Sequence, residues 1–93
     1  SEMCIRDREN IGLTSRQYKI LMTLLKYPNK TFTREELIST ALGDDYDGYD
    51  RNVDTHVKNI RQKIETNPKD PQYIITVHGT GYRFGGEFNE EKS

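Results

Sequence analysis

Residues 51–64, RNVDTHVKNIRQKI, and residues 73–84, YIITVHGTGYRF, decide how this chain folds. In the first stretch Val53, Val57, Ile60 and Ile64 recur at intervals of four, three and four, which makes one narrow apolar stripe along a helix. The pattern predicts a helix over about residues 51–66, closed by Pro68 and Pro71. The second stretch has a different period. Tyr73-Ile74-Ile75-Thr76-Val77 carries the β-branched content of a strand. Gly79-Thr80-Gly81 reads as a turn and Tyr82-Arg83-Phe84 as the returning strand.

Working back towards the N-terminus, two more helices announce themselves by their first turns. Thr33-Arg34-Glu35-Glu36 is a capping box, in which a hydroxyl and a carboxylate three residues apart satisfy each other's free backbone N–H groups. It starts a short helix with Leu37, Ile38, Ala41 and Leu42 on one side, and Gly43 sits where a left-handed C-terminal cap belongs. Thr14-Ser15-Arg16-Gln17 is a second such box, followed by Tyr18, Leu21, Leu24 and Leu25 at helical spacing and stopped by Pro28-Asn29. Before it, Cys4–Arg6 and Asn10–Leu13 are predicted as a short hairpin turning at Asp7-Arg8-Glu9. Three helices followed by a terminal hairpin give an α+β fold in the order of a winged helix-turn-helix: the second and third helices form the pair and the last hairpin is the wing.

The chain of 93 residues suffices for one domain, with a core over about 11–85 and a tail, 86–93, expected to fray. Only 32% of it is hydrophobic, so the core is small and each helix has one buried face to offer. No run approaches the roughly 18 apolar residues of a membrane span. A single cysteine, Cys4, forbids an internal disulfide and fits a reducing compartment, so a cytoplasmic location is expected. Fourteen Lys and Arg against fifteen Asp and Glu leave a net charge of −1, but the charges are segregated. Asp44, Asp45, Asp47 and Asp50 crowd the loop after the second helix, whereas residues 51–63 hold Arg51, Lys58, Arg61 and Lys63 against Asp54 alone.

With Val53 at the centre of the buried stripe and about 100° per residue, Arg51, Thr55, Lys58, Asn59 and Gln62 fall on the far side of the third helix. His56, Lys63, Asp54 and Arg61 fall on its flanks, and His56, towards the core side, is read as structural. The outward face carries no acid, and its side chains are those that read base edges or hold phosphates. Other chemistries fit poorly. Read as a calcium loop around Gly48, residues 43–54 would need an oxygen ligand at Gly43 and a long carboxylate at Asp54. Gly79 and Gly81 lack the third glycine and following helix of a dinucleotide site. Two isolated histidines, His56 and His78, have no Cys or Ser beside them in sequence. No metal, no cofactor and no enzymatic activity are expected.

The chain resembles the effector domain of OmpR/PhoB-type bacterial response regulators over about residues 11–85. The likeness runs through Leu13-Thr14 and Thr33–Leu37 and is sharpest in Arg51–Val57 with Ile60–Ile64 and in Thr76–Phe84. It implies sequence-specific binding of duplex DNA to control transcription, with the third helix in the major groove and the wing at the minor groove. It also implies phosphate contacts from Arg51, Lys58, Thr76 and Tyr82 and base contacts from Asn59 and Arg61; Thr55 and Gln62 share the base-facing surface. The wing contact falls to His78 and Arg83. The loop bearing Asp44, Asp45, Asp47 and Asp50 matches the segment that meets RNA polymerase. Binding to direct-repeat half-sites and an upstream phosphorylated receiver domain are further implications.

The sequence departs from the family pattern at several points. The N-terminus has room for two platform strands where the family has four. Leu42 stands for the usual Trp, Asn52 for Thr, and His78 for the wing Arg. The lost arginine and the net charge favour a rival reading, a winged helix used only for protein–protein interaction; the basic face of the third helix opposes it.

Overall fold

Both capping boxes form. The computed structural model describes residues 2–3, 12–43, 53–85 and 87–88. Within them Thr14 caps helix α1 (Ser15–Lys26): its hydroxyl accepts from the Gln17 N–H at 3.1 Å, while its own N–H donates to Gln17 Oε1 at 3.0 Å. Thr33 and Glu36 repeat the arrangement at the start of α2 (Arg34–Ala41), with both bonds at 3.0 Å. Each such cap is worth about 1 kcal/mol, a useful sum for helices this short. Gly43 takes φ 53° just beyond α2, the left-handed cap its position predicts.

Helix α3 (Val53–Ile64) buries Val53, Val57 and Ile60 completely and Ile64 in part, as the stripe requires. It ends two residues short of the predicted boundary. On α1 the buried face contains the expected Leu21, Leu24 and Leu25 and is widened by Ile20. Ile20, Leu21 and Leu24 are wholly inaccessible, whereas Tyr18 is only half-buried at the margin. Helix α1 packs against α2, α3 and the wing, so its apolar face is the floor of the domain.

The wing is an antiparallel pair, β3 (Ile74–Val77) and β4 (Gly81–Phe84), running from Ile74 opposite Phe84 to Val77 opposite Gly81. His78, Gly79 and Thr80 make the tip, closed by the Thr80 N–H donating to the Val77 carbonyl at 3.0 Å. A third strand joins it that the sequence does not announce. Phe32–Thr33 (β2) pairs antiparallel with β4, giving the sheet order β2-β4-β3. Two residues are too few for a periodic signal, but Phe32 is 2% exposed and its burial pins the α1–α2 connection to the wing.

Two residues of the tail are described. Within it Glu87–Phe88 (β5) pairs in parallel with Glu2–Met3 (β1), and the rest lies outside the described residues. The predicted hairpin over residues 4–13 lies almost wholly outside the described residues, as does the aspartate loop.

Gly81 is fixed by close approach. A Cβ built there would lie 1.9 Å from the carbonyl oxygen of Phe32, backbone that cannot step aside without breaking the β2–β4 pairing. Gly81→Ala is therefore expected to destabilise the domain at the upper end of the about 1–3 kcal/mol typical of overpacking, read as a lower urea midpoint. An unchanged midpoint would show that the β2–β4 pairing is dispensable.

Candidate nucleic-acid interface

The outward face of α3 is as the helical wheel draws it. Thr55, Lys58, Asn59, Gln62 and Lys63 are exposed, opposite the buried Val53, Val57 and Ile60. Among the described residues, Lys58, Asn59 and Gln62 have no hydrogen-bond or ion-pair partner within the chain. Lys58 and Gln62 also line a groove of about 550 Å³ whose other wall is Asn67, Pro68 and Lys69, the turn that follows the helix. Arg51 and the four loop aspartates lie outside the described residues.

The first turn of α3 is tied to two other elements through Asp54. Its Oδ1 accepts from Arg34 Nε on α2 at 2.8 Å and from the Tyr82 hydroxyl on β4. Those bonds, Tyr82's first and Arg34's second, hold the Asp54 carboxyl below the usual carboxylate range. Burial, then the Asp54 carboxylate, push the Tyr82 phenol above its ordinary value, so it remains a donor. The guanidiniums of Arg34 and Arg61 each lie 5.6 Å from the centre of the Tyr82 ring, within cation–π range.

The last turn is tied to β3. Arg61 Nη2 donates to the Ile74 carbonyl at 2.7 Å and to Thr76 Oγ1 at 2.8 Å, and Nε reaches the same carbonyl at 3.2 Å. One turn on, Glu65 is 8% exposed. Its carboxylate accepts from the N–H groups of Gln72 at 2.8 Å, Tyr73 at 2.9 Å and Ile74 at 2.9 Å.

These ties involve three residues that the sequence reading assigns to DNA. Arg61 lies half-buried along the edge of β3, where Nε and Nη2 are taken by Ile74 and Thr76, so only part of its guanidinium is left to meet a base. Tyr82, 4% exposed, gives its proton to Asp54 and so has no donor left for a phosphate, whereas Thr76 accepts Arg61 on its hydroxyl oxygen and keeps its own O–H as a donor. His78 is exposed at the wing tip as expected. Arg83 lies opposite Ile75, on the sheet face away from the one through which Tyr82 meets α3. Sequence reasoning missed Arg34 and Glu65. A signal for Glu65 was present: a charged residue four positions after Arg61, just before two prolines, where a helix must hand over to a strand.

The family described as "Transcriptional regulatory protein, C terminal" matches residues 8–84. The chain belongs to this family. It is a winged-helix DNA-binding effector domain of the response-regulator type and not an enzyme. A probable transcriptional regulatory protein of Picosynechococcus sp. is 39% identical over 77 residues, 83% of this chain and 31% of that protein. The chain thus spans about a third of the length of that relative. Among solved structures, the response regulator DrrB, a Thermotoga maritima OmpR/PhoB homolog, superposes with TM-score 0.67 at 40% identity, covering 80% of this chain and 33% of that one. The DNA-binding domain of the response regulator AdeR, in complex with an intercistronic region, gives TM-score 0.63 at 37% identity, covering 81% and 76%. No helix among the described residues is long and apolar enough to cross a membrane.

For this effector domain the Asp54 tie has a definite pH dependence. Because the folded carboxyl is held low, its stabilisation is present above the unfolded value of about 3.9 and is lost as pH falls through the lower folded value. The Asp54 side chain is 55% exposed, so the effect is at most about 1 kcal/mol. Asp54→Asn should flatten the acid limb of a stability–pH curve below about pH 4. An acid limb identical to the wild type's would show that Asp54 is not the group titrating.

Proposed function

We propose that this chain reads duplex DNA in a sequence-specific manner for a transcriptional response regulator, with α3 in the major groove and the wing tip at the adjacent minor groove. The observation that carries the reading is the set of uncommitted side chains, Lys58, Asn59 and Gln62, on a helix whose opposite face buries Val53, Val57 and Ile60. Asn59 and Gln62 face the bases, where an amide can pair bidentately with adenine, and Thr55 adds a hydroxyl and a methyl. Lys58 holds a phosphate. The groove between Lys58 and Lys69 gives the backbone a second ammonium to follow. Arg51 serves as a further phosphate anchor by its match to the family.

The wider context is also a proposal. The AdeR domain is described in complex with an intercistronic region, and DNA of that kind is the partner proposed here. Repeated half-sites bound head to tail, a receiver domain upstream and work in the cytoplasm complete the picture. Asp44, Asp45, Asp47 and Asp50 face RNA polymerase, since phosphate would repel four carboxylates.

Selection from a random duplex pool, followed by titration of variants, tests the groove assignments. Asn59→Ala should cost about 1–3 kcal/mol on the selected site and relax preference at one or two base pairs. Lys58→Ala should weaken all duplexes alike and reduce the salt slope by about one. An Asn59→Ala variant with unchanged sequence preference contradicts the major-groove placement.

The wing assignment has its own test. A narrow A·T-rich minor groove concentrates negative potential and attracts a cation. A guanidinium at the tip, longer and with five donors, should exploit that field better than an imidazole. His78→Arg is expected to strengthen binding to a site flanked by an A·T tract at pH 8 by several-fold, and to do less when the tract is G·C. Equal gains on both flanks would mean that the new charge only meets phosphates.

A further inference from the structure

From the contacts between α3 and β3 we infer that Arg61 and Glu65 are positioning residues that index the wing to the recognition helix, so that the two DNA-reading elements move as one body. This rests on the DNA-reading assignment above and adds how its two halves are kept in register.

The argument starts from the sheet. In an antiparallel ladder the N–H and C=O of one residue leave the strand on the same edge, and those of its neighbour leave on the other. The Tyr73 carbonyl accepts from the Gly85 N–H at 2.7 Å, just beyond β4, so it points into the sheet. Both backbone groups of Ile74 therefore point off the opposite edge. Among the described residues, the order β2-β4-β3 leaves that edge without a strand. Side chains of α3 take its place: the Ile74 N–H donates to Glu65 at 2.9 Å, and the Ile74 carbonyl accepts from Arg61 at 2.7 Å. The Glu65 N–H still donates to the Arg61 carbonyl at 2.9 Å, so helical geometry continues to Glu65 and places the two side chains on one face, four residues apart. A carboxylate and a guanidinium thus grip the donor and the acceptor of a single strand residue. Thr76, two residues along the same strand, adds a second point of attachment through Arg61 at 2.8 Å. Two points separated along the strand fix its direction as well as its position. The wing tip, starting at His78, begins two residues beyond Thr76.

If this coupling holds, the distance between the major-groove site of α3 and the minor-groove site of the tip is set by the protein and not by the DNA. The test uses the duplex selected by the wild-type domain, with its flanking A·T tract, and a second duplex with one base pair inserted between the tract and the bases read by α3. The insertion moves the tract by about 3.4 Å along the axis. The wild type should lose roughly tenfold in affinity on insertion, the size of one well-read base pair. Glu65→Gln, which keeps the shape and removes the charge, and Thr76→Val, which removes one acceptor of Arg61, should bind the parent duplex more weakly and lose less than twofold on insertion. A purely stabilising role would lower binding to both duplexes by one factor and leave their ratio at the wild-type value, which overturns the inference. Thr76→Val carries the test alone if Glu65→Gln does not fold, because it leaves the Glu65 bonds in place. A wild type indifferent to the insertion also overturns it. Failure of the wild type to select any duplex would instead sink the DNA reading itself.

Discussion

Glu65 is 8% exposed, and a carboxylate taken that far from water costs several kcal/mol unless its oxygens are well satisfied. Here they receive three backbone N–H groups from Gln72, Tyr73 and Ile74. The arrangement resolves two difficulties together. A buried charge finds donors, and the open edge of β3, which would otherwise invite pairing with a strand of another molecule, is covered. At the other end of α3, Asp54 meets Tyr82 on β4 and Arg34 on α2. The recognition helix is therefore bonded to one wing strand at each end. No buried side-chain polar atom among the described residues lacks a partner, which is the condition for such a network to stiffen the structure.

What the sequence reveals follows the range of the interactions involved. Capping boxes act over three residues, and both were legible because Thr14 with Gln17 and Thr33 with Glu36 need nothing beyond their own turn. The stripe on α3 was legible because periodicity is also local. The position of Ile20 in the core was less so: α1 is covered by α2, α3 and the wing at once, which widens its buried face past the stripe that spacing alone suggests. β2 was invisible for the opposite reason, since Phe32 and Thr33 become a strand only by meeting Tyr82 and Gly81, about fifty residues away. The same distinction separates the site residues. Exposure of Lys58, Asn59 and Gln62 came from the wheel, and it holds. The fate of Arg61 depended on a carbonyl thirteen residues further on, at the edge of a strand whose pairing the wheel does not contain.

Net charge is the remaining tension, since a domain at −1 must approach a polyanion. The structure eases it by where it puts the acids. Asp54, the one carboxylate on α3, is bonded by Arg34 and Tyr82; Glu36 closes the cap of its own helix; Glu65 is buried under β3. Each is held by donors that draw its charge away from the outward face. Lys58 has no such commitment. It stands on the exposed face with Lys69 across the adjoining groove, and coulombic attraction to phosphate falls off within roughly 8–10 Å in physiological salt. At that range the field felt by DNA is set by the nearest side chains and not by the sum over the chain. A formal charge near zero is thus compatible with a positive face, provided the acids are engaged in the fold, as these three are.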